Sequence, residues 1–218
     1  GTNGYNGTNG YNGTNGLSVA RGLVDPLNLP NNSDLLASAD GQKTLKYLVK
    51  CALPTNVDIV KGGVTYEGKI GLAPEWATGE CNVDCQEKLT ACMGAHMNKT
   101  GQPVPIFLVA DGGDFPAIGP ELSGSYLRKE GAFFGNIFGS SPQFFFCEGP
   151  NARTNSINGR IGSGLVSPQY ANPYAPDAET PGPCAGNCTT ISGYSGSGWS
   201  SCTVGAKVWP HVMNVWTQ

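Results

Sequence analysis

Eight cysteines carry the clearest chemistry in this chain: Cys51, Cys81, Cys85, Cys92, Cys147, Cys184, Cys188 and Cys202. An even number of thiols, in a chain with few charges and many turn formers, points to four disulfides made in an oxidising compartment. Zinc is the rival chemistry, because Cys81-x3-Cys85 and Cys184-x3-Cys188 have the spacing of two ligand pairs. Structural zinc sites usually use tighter knuckles and a cytosolic chain carries more charge, so disulfides are expected and no metal is assigned. Eight cysteines allow on the order of a hundred pairings. The expected one joins Cys51 to Cys92 as a staple between two helices. It clips Cys81 to Cys85 and Cys184 to Cys188 as local loops, and ties Cys147 to Cys202.

The remaining reactive groups are sparse. Of the two histidines, His96 falls on the apolar face of a predicted helix and reads as a core residue, while His211 follows Pro210 between two tryptophans and reads as an edge-strand residue. Neither has a cysteine or serine beside it in a nucleophile context. Gly193-Tyr-Ser195-Gly-Ser197 approaches a nucleophile elbow but lacks its final glycine. There is no phosphate-binding glycine loop and no metalloprotease helix. Glu75 beside Trp76, with Glu121 and Glu130 flanking an aromatic segment, could supply the paired carboxylates of a glycosidase. A loop carboxylate near a structural tryptophan is the simpler reading. Asp111-Gly-Gly-Asp114 could hold calcium but more often makes a turn. No catalytic residue, metal ligand or cofactor site is assigned, and the chain is not expected to be an enzyme.

These groups sit in an unusual composition. Only 13% of residues are charged, and 32 glycines and 16 prolines are spread over 218 residues. The net charge of −3 gives no electrostatic footprint for nucleic acid. No apolar run reaches the length of a membrane span. The chain starts without Met or a signal peptide, which suggests processing or a fragment. The expected fold is α+β, loop-rich and mainly β, with two short helices and disulfide staples.

The elements follow from the pattern. Asp40 is a plausible N-cap for a helix carrying Leu45, Leu48, Val49 and Ala52 at helical spacing, stopped by Pro54. Asp58 to Ile70 alternates around Gly62-Gly63 as a hairpin. Asp84 with Glu87 has the spacing of a capping box, opening a helix that Gly101 and Pro103 stop. Val104–Ala110, Ala132–Phe138 and Gln143–Cys147 are predicted strands. Pro150 to Ser201 looks like long loops pinned by cysteines. Lys207–Trp216 is split at Pro210 into two short strands or confined to a sheet edge.

One segment stands apart. Residues 1–16 repeat Gly-x-Asn, with Gly1, Gly4, Gly7, Gly10, Gly13 and Gly16 marking the period and Asn3, Asn6, Asn9, Asn12, Asn15, Tyr5 and Tyr11 between them. Such a tract cannot bury enough apolar surface to order itself alone. Glycine every third residue suits a polyproline II or polyglycine-like helix that packs against other chains. The tract is therefore read as an assembly arm, extended over roughly 50 Å at ~3.1 Å per residue. A flexible linker is the plainer alternative. A hexapeptide solenoid is a third, but it lacks the inward aliphatic residue of each turn.

Asn-x-Ser/Thr sequons occur at Asn6, Asn12, Asn31, Asn98 and Asn187, making these candidate glycosylation sites in a secretory setting. The segments Lys46-Tyr-Leu-Val-Lys-Cys-Ala-Leu-Pro54, Gly71-Leu-Ala-Pro-Glu-Trp76 and Ala91-Cys-Met-Gly-Ala-His-Met-Asn98 resemble a group of uncharacterised secreted proteins of myxobacteria and relatives. Those proteins carry N-terminal Asn-Gly-x repeats ahead of a cysteine-rich domain. The likeness covers residues 1 to about 110 and, more loosely, Gly131 to Phe138, and the arm departs from it in using Thr and Tyr where that group has leucine. It implies a bacterial, exported origin and carries over no catalytic residue. The domains expected are an arm, 1–16, and a cysteine-rich body, 17–218. The function expected is an extracellular or cell-surface structural protein that partners with itself. The alternative is a carbohydrate-binding or glycan-processing module, with aromatic loops around Trp76, Tyr170, Tyr174 and Trp199 as its platform.

Overall fold

The computed structural model describes residues 2–3, 16–96, 104–110, 126, 128–138, 141–150, 182–193 and 196–218. Thr2–Asn3 form a short strand, β1, followed in the body by helix α1 (Asp34–Ala37) and helix α2 (Ala39–Ala52). Ser38, not Asp40, caps α2: its hydroxyl accepts from the Gly41 amide at 3.0 Å. The hairpin β2 (Asp58–Lys61) and β3 (Val64–Glu67) turns through Gly62-Gly63, both at positive φ where a side chain would be strained. Helix α3 (Val83–His96) is likewise capped two residues earlier than the capping-box pattern implied. Asn82 accepts from the Cys85 amide at 3.0 Å, which frees Asp84 for other partners.

Strands β4 (Val104–Pro105), β5 (Phe107–Ala110), β6 (Arg128–Asn136) and β7 (Gln143–Glu148) come next, then β8 (Cys188–Gly193), β9 (Gly196–Val204), β10 (Lys207–Trp209) and β11 (Met213–Thr217). The fold is thus mainly β with two helices of substantial length, as the composition suggests. The stretch expected as pinned loops instead contains the β8–β9 hairpin. Its Ser, Thr and Gly residues hide the strand signal, and backbone pairing in fixed register supplies it. Pro210 does divide the C-terminal segment, but β11 lies inside its sheet, between β5 and β6.

Four antiparallel strands in the order β5-β11-β6-β7 form the central sheet, and β10-β9-β8 form a second one. Period-two alternation makes the central sheet two-faced. Phe133, Phe144, Phe146, Met213 and Val215 join the core beneath the helices. Ala132, Phe134, Phe145 and Cys147 face the other way, packing with Trp199 and Trp209 of the second sheet and Val212 of the β10–β11 connection. The body is therefore layered as helices, central sheet and small sheet. Gly94 lets α3 approach closely, since a side chain there would run into Phe144 and Phe133.

Two asparagines knit irregular parts to this frame. Asn214 is fully buried on β11; its Oδ1 accepts from Trp199 N at 2.9 Å and its Nδ2 donates to Trp199 O at 2.9 Å and Val109 O at 3.2 Å. Its amide thus replaces a backbone partner for β9. Asn28, also fully buried, donates to Ser18 O and Arg21 O and accepts from Ser18 N. With Lys61 Nζ on the Asp25 carbonyl at 2.7 Å, it gives residues 16–30 a fixed shape without regular structure.

Candidate functional site

The cysteines form four disulfides: Cys51–Cys92, Cys81–Cys85, Cys147–Cys184 and Cys188–Cys202. The first two follow the expected pairing, and the first does staple α2 to α3. The last two replace the expected Cys184–Cys188 and Cys147–Cys202. The reason lies in strand register. Cys188 and Cys202 are direct partners across β8 and β9, with Cα atoms 4.0 Å apart. Cys184 is set beside β7 by its amide donating to Glu148 O at 2.9 Å, which leaves Cys147 as its neighbour. The x3 spacing instead makes a turn, in which Cys188 N donates to Cys184 O at 2.9 Å.

His96 is fully buried, as its helical face implied. Its Nδ1 lies 2.8 Å from the Cys92 carbonyl, so that nitrogen carries the proton. Both sulfurs of the Cys51–Cys92 bridge are within 3.8 Å of it, but thiols joined in a disulfide are not metal ligands. His211 is not a plain edge residue. It sits between β10 and β11 and its Nε2 pairs with Asp84, whose other oxygen takes Lys88 Nζ at 2.8 Å. Lys88, then His211, hold the Asp84 carboxyl below its ordinary value. This network pins the strand connection to the start of α3. Nearby, burial pushes the Glu87 carboxyl up, opposed by Lys207 at 3.8 Å.

Of the carboxylate and aromatic residues weighed as a sugar platform, Trp76, Trp199, Glu75 and Glu130 are among the described residues. Trp76 is fully buried, its indole N–H donating to Arg21 O at 3.0 Å, and Trp199 is buried under the Lys129 ammonium, 3.5 Å from the ring centre. Glu75 is exposed on a short 3-10 helix, Pro74–Ala77, whereas Glu130 is fully buried in β6. Glu121, Asp111, Asp114, Tyr170 and Tyr174 lie outside the described residues, as do the sequons Asn6, Asn12 and Asn98. Asn31 is exposed. Asn187 is half-buried and its amide donates to Pro183 O at 3.0 Å.

Of the arm, Asn3 and Gly16 are described; Gly1, Gly4, Gly7, Gly10, Gly13, Asn6, Asn9, Asn12, Asn15, Tyr5 and Tyr11 are not. Thr2–Asn3 run antiparallel to β4, with Thr2 opposite Pro105 and Asn3 opposite Val104. Gly16 is built into the body: its carbonyl accepts from Leu29 N at 3.1 Å, and its positive φ and closeness to Ser33 leave no room for a side chain.

A second feature escaped the sequence reading. An open groove of about 770 Å³ runs between α2 and the β2–β3 hairpin. Lys43, Lys46 and Lys50 line it from α2, and Lys69 from the segment after β3. No carboxylate pairs with any of these lysines among the described residues. Burial, reinforced by Lys69 and Lys46, pushes the Lys50 ammonium down to about 8. Tyr66 also lines the groove at 2% exposure, and its hydroxyl has no hydrogen-bond partner among the described residues. The i, i+3, i+7 spacing of the three helical lysines was a legible signal, since it places them on one face. No family model, curated protein or solved structure matches the chain.

Proposed function

We propose that this is an exported structural protein whose disulfide-stapled body joins other copies through the Gly-x-Asn arm, by strand addition. The observation that carries this reading is the antiparallel pairing of Thr2–Asn3 with β4. Strand addition draws its affinity from main-chain hydrogen bonds, so a tract poor in apolar side chains can still dock. The Thr-Asn dipeptide seated on β4 recurs at Thr8-Asn9 and Thr14-Asn15, so the arm holds three copies of the docking unit.

Exchange between copies needs reach. The twelve residues from Gly4 to Asn15 that link β1 to the body span at most about 40 Å when extended, enough to reach a neighbouring body. Docking on the arm's own body competes at an effective concentration of order millimolar. Exchange therefore grows where copies are crowded, as on a surface or in a fibre, and is a low-cost route to assembly. Four disulfides support export and relieve the arm of any stabilising duty.

Electron microscopy of concentrated protein, with and without a synthetic peptide of residues 1–15, tests this reading. Assemblies that the peptide disperses are expected. Assemblies indifferent to excess peptide, or none at any concentration, would overturn it.

A further inference from the structure

We propose that the groove between α2 and the β2–β3 hairpin binds an acidic polysaccharide, its carboxylates held by Lys43, Lys46, Lys50 and Lys69 and a sugar hydroxyl by Tyr66. This goes beyond self-association and rests on different residues. Four of the chain's thirteen Lys and Arg residues meet in this groove although the net charge is −3. The concentration of charge is therefore local, not a general property of the surface.

The shape favours an extended anion over a single compact one. Lys43, Lys46 and Lys50 climb one face of α2, spreading their charges over about 10 Å at the helical rise. That distance is comparable to the span of two linked uronate rings, and a lone phosphate would engage only part of it. The groove also supplies features that sugars use. The half-buried Tyr47 ring sits among the lysines, with the Lys50 ammonium 5.3 Å from its centre. The Tyr66 hydroxyl is a buried polar group lacking a partner among the described residues, a costly arrangement that a ligand hydroxyl would relieve.

Charge at Lys50 gives a second signature. The ionisable groups facing it are Lys43, Lys46 and Tyr47 on α2, with Tyr66, Glu67 and Lys69 from the hairpin side. His96 of α3 lies behind Tyr47, with ring centres 5.2 Å apart. The ammonium of Lys50 is held down by burial and by like charge. A bound carboxylate raises it again, so binding near pH 8 takes up a proton.

The test is calorimetric titration of the full chain with oligogalacturonate at low salt, beside neutral dextran, inorganic phosphate and a single-stranded oligonucleotide. Oligogalacturonate is expected to bind, dextran not, and phosphate and the oligonucleotide at least about tenfold more weakly. Lys46→Gln/Lys50→Gln is expected to weaken binding by tenfold or more, and Tyr66→Phe by about fivefold, while the Tyr66→Phe unfolding midpoint holds or rises. Proton uptake at pH 8, read from buffers of different ionisation enthalpy, is expected to vanish in Lys50→Gln. The proposal is overturned if oligogalacturonate does not bind, if the lysine double variant binds unchanged, or if phosphate or the oligonucleotide binds as tightly.

Discussion

Replacing Lys50 by methionine should stabilise the body at neutral pH, with a pH dependence set by the groove. Burial first, then Lys69 and Lys46, lowers the Lys50 ammonium from its ordinary 10.5 to about 8. Between those values the unfolded chain holds a proton that the folded chain has lost, so this group's contribution to stability rises with pH. Below about 8 the folded protein carries the charge at full cost. At about 1.4 kcal/mol per pH unit the gap corresponds to roughly 3 kcal/mol. Partial exposure of the side chain, which lets the ammonium lean toward water, reduces this to about 1–2 kcal/mol. Methionine keeps the stem's packing and removes the charge. Urea unfolding of both proteins at pH 6.5 and near pH 11 should show the variant about 1–2 kcal/mol more stable at the lower pH and equal at the higher. A variant less stable at pH 6.5, or an advantage that persists unchanged at high pH, would refute the reasoning. A charge kept at this cost is the pattern of a binding site that trades stability for function.

Three further outcomes follow from the frame. Asn214→Ala leaves Trp199 N–H and C=O without partners in the interior and should cost about 3–5 kcal/mol, read as a lower urea midpoint; a loss under about 1 kcal/mol would contradict its bridging role. Removing Cys51–Cys92, with its separation of 41 residues, should cost about 4 kcal/mol against about 2 for Cys81–Cys85, separated by 4, in paired Cys→Ala unfolding measurements; equal losses would show that loop closure is not what these bridges supply. Asp84→Asn should cost under about 1 kcal/mol, because that carboxylate is 53% exposed. With the Asp84 carboxyl held low, its contribution is present at neutral pH and lost on acidification below about 4; an effect that persists at pH 2 would contradict the ion-pair assignment.

Much of the frame was legible because it rests on local pattern. Leu45, Leu48, Val49 and Ala52 mark one face of α2, Gly62-Gly63 marks a turn, and the phenylalanines of β6 and β7 mark strands buried on both faces. What escaped is set by tertiary register. Cys188 pairs with Cys202 because β8 and β9 align them, and nothing in Cys184-x3-Cys188 reveals that alignment. The β8–β9 hairpin is written in Ser, Thr and Gly, residues that also fill loops. Trp76 and Trp199 read as surface platforms only until their burial is known. For the groove, the helical lysines were visible in sequence. Their convergence with Lys69 and Tyr66 depends on how the hairpin folds over α2.

On the proposed function, the arm joins copies of the body. Static light scattering of the full chain and of a chain lacking residues 1–15, followed to millimolar concentration, tests it most directly; Gly16 stays because the body uses it. A weight-average mass that climbs with concentration is expected for the full chain, while the truncated chain stays a folded monomer with an unchanged unfolding midpoint. Equal masses for the two chains at every concentration would contradict it.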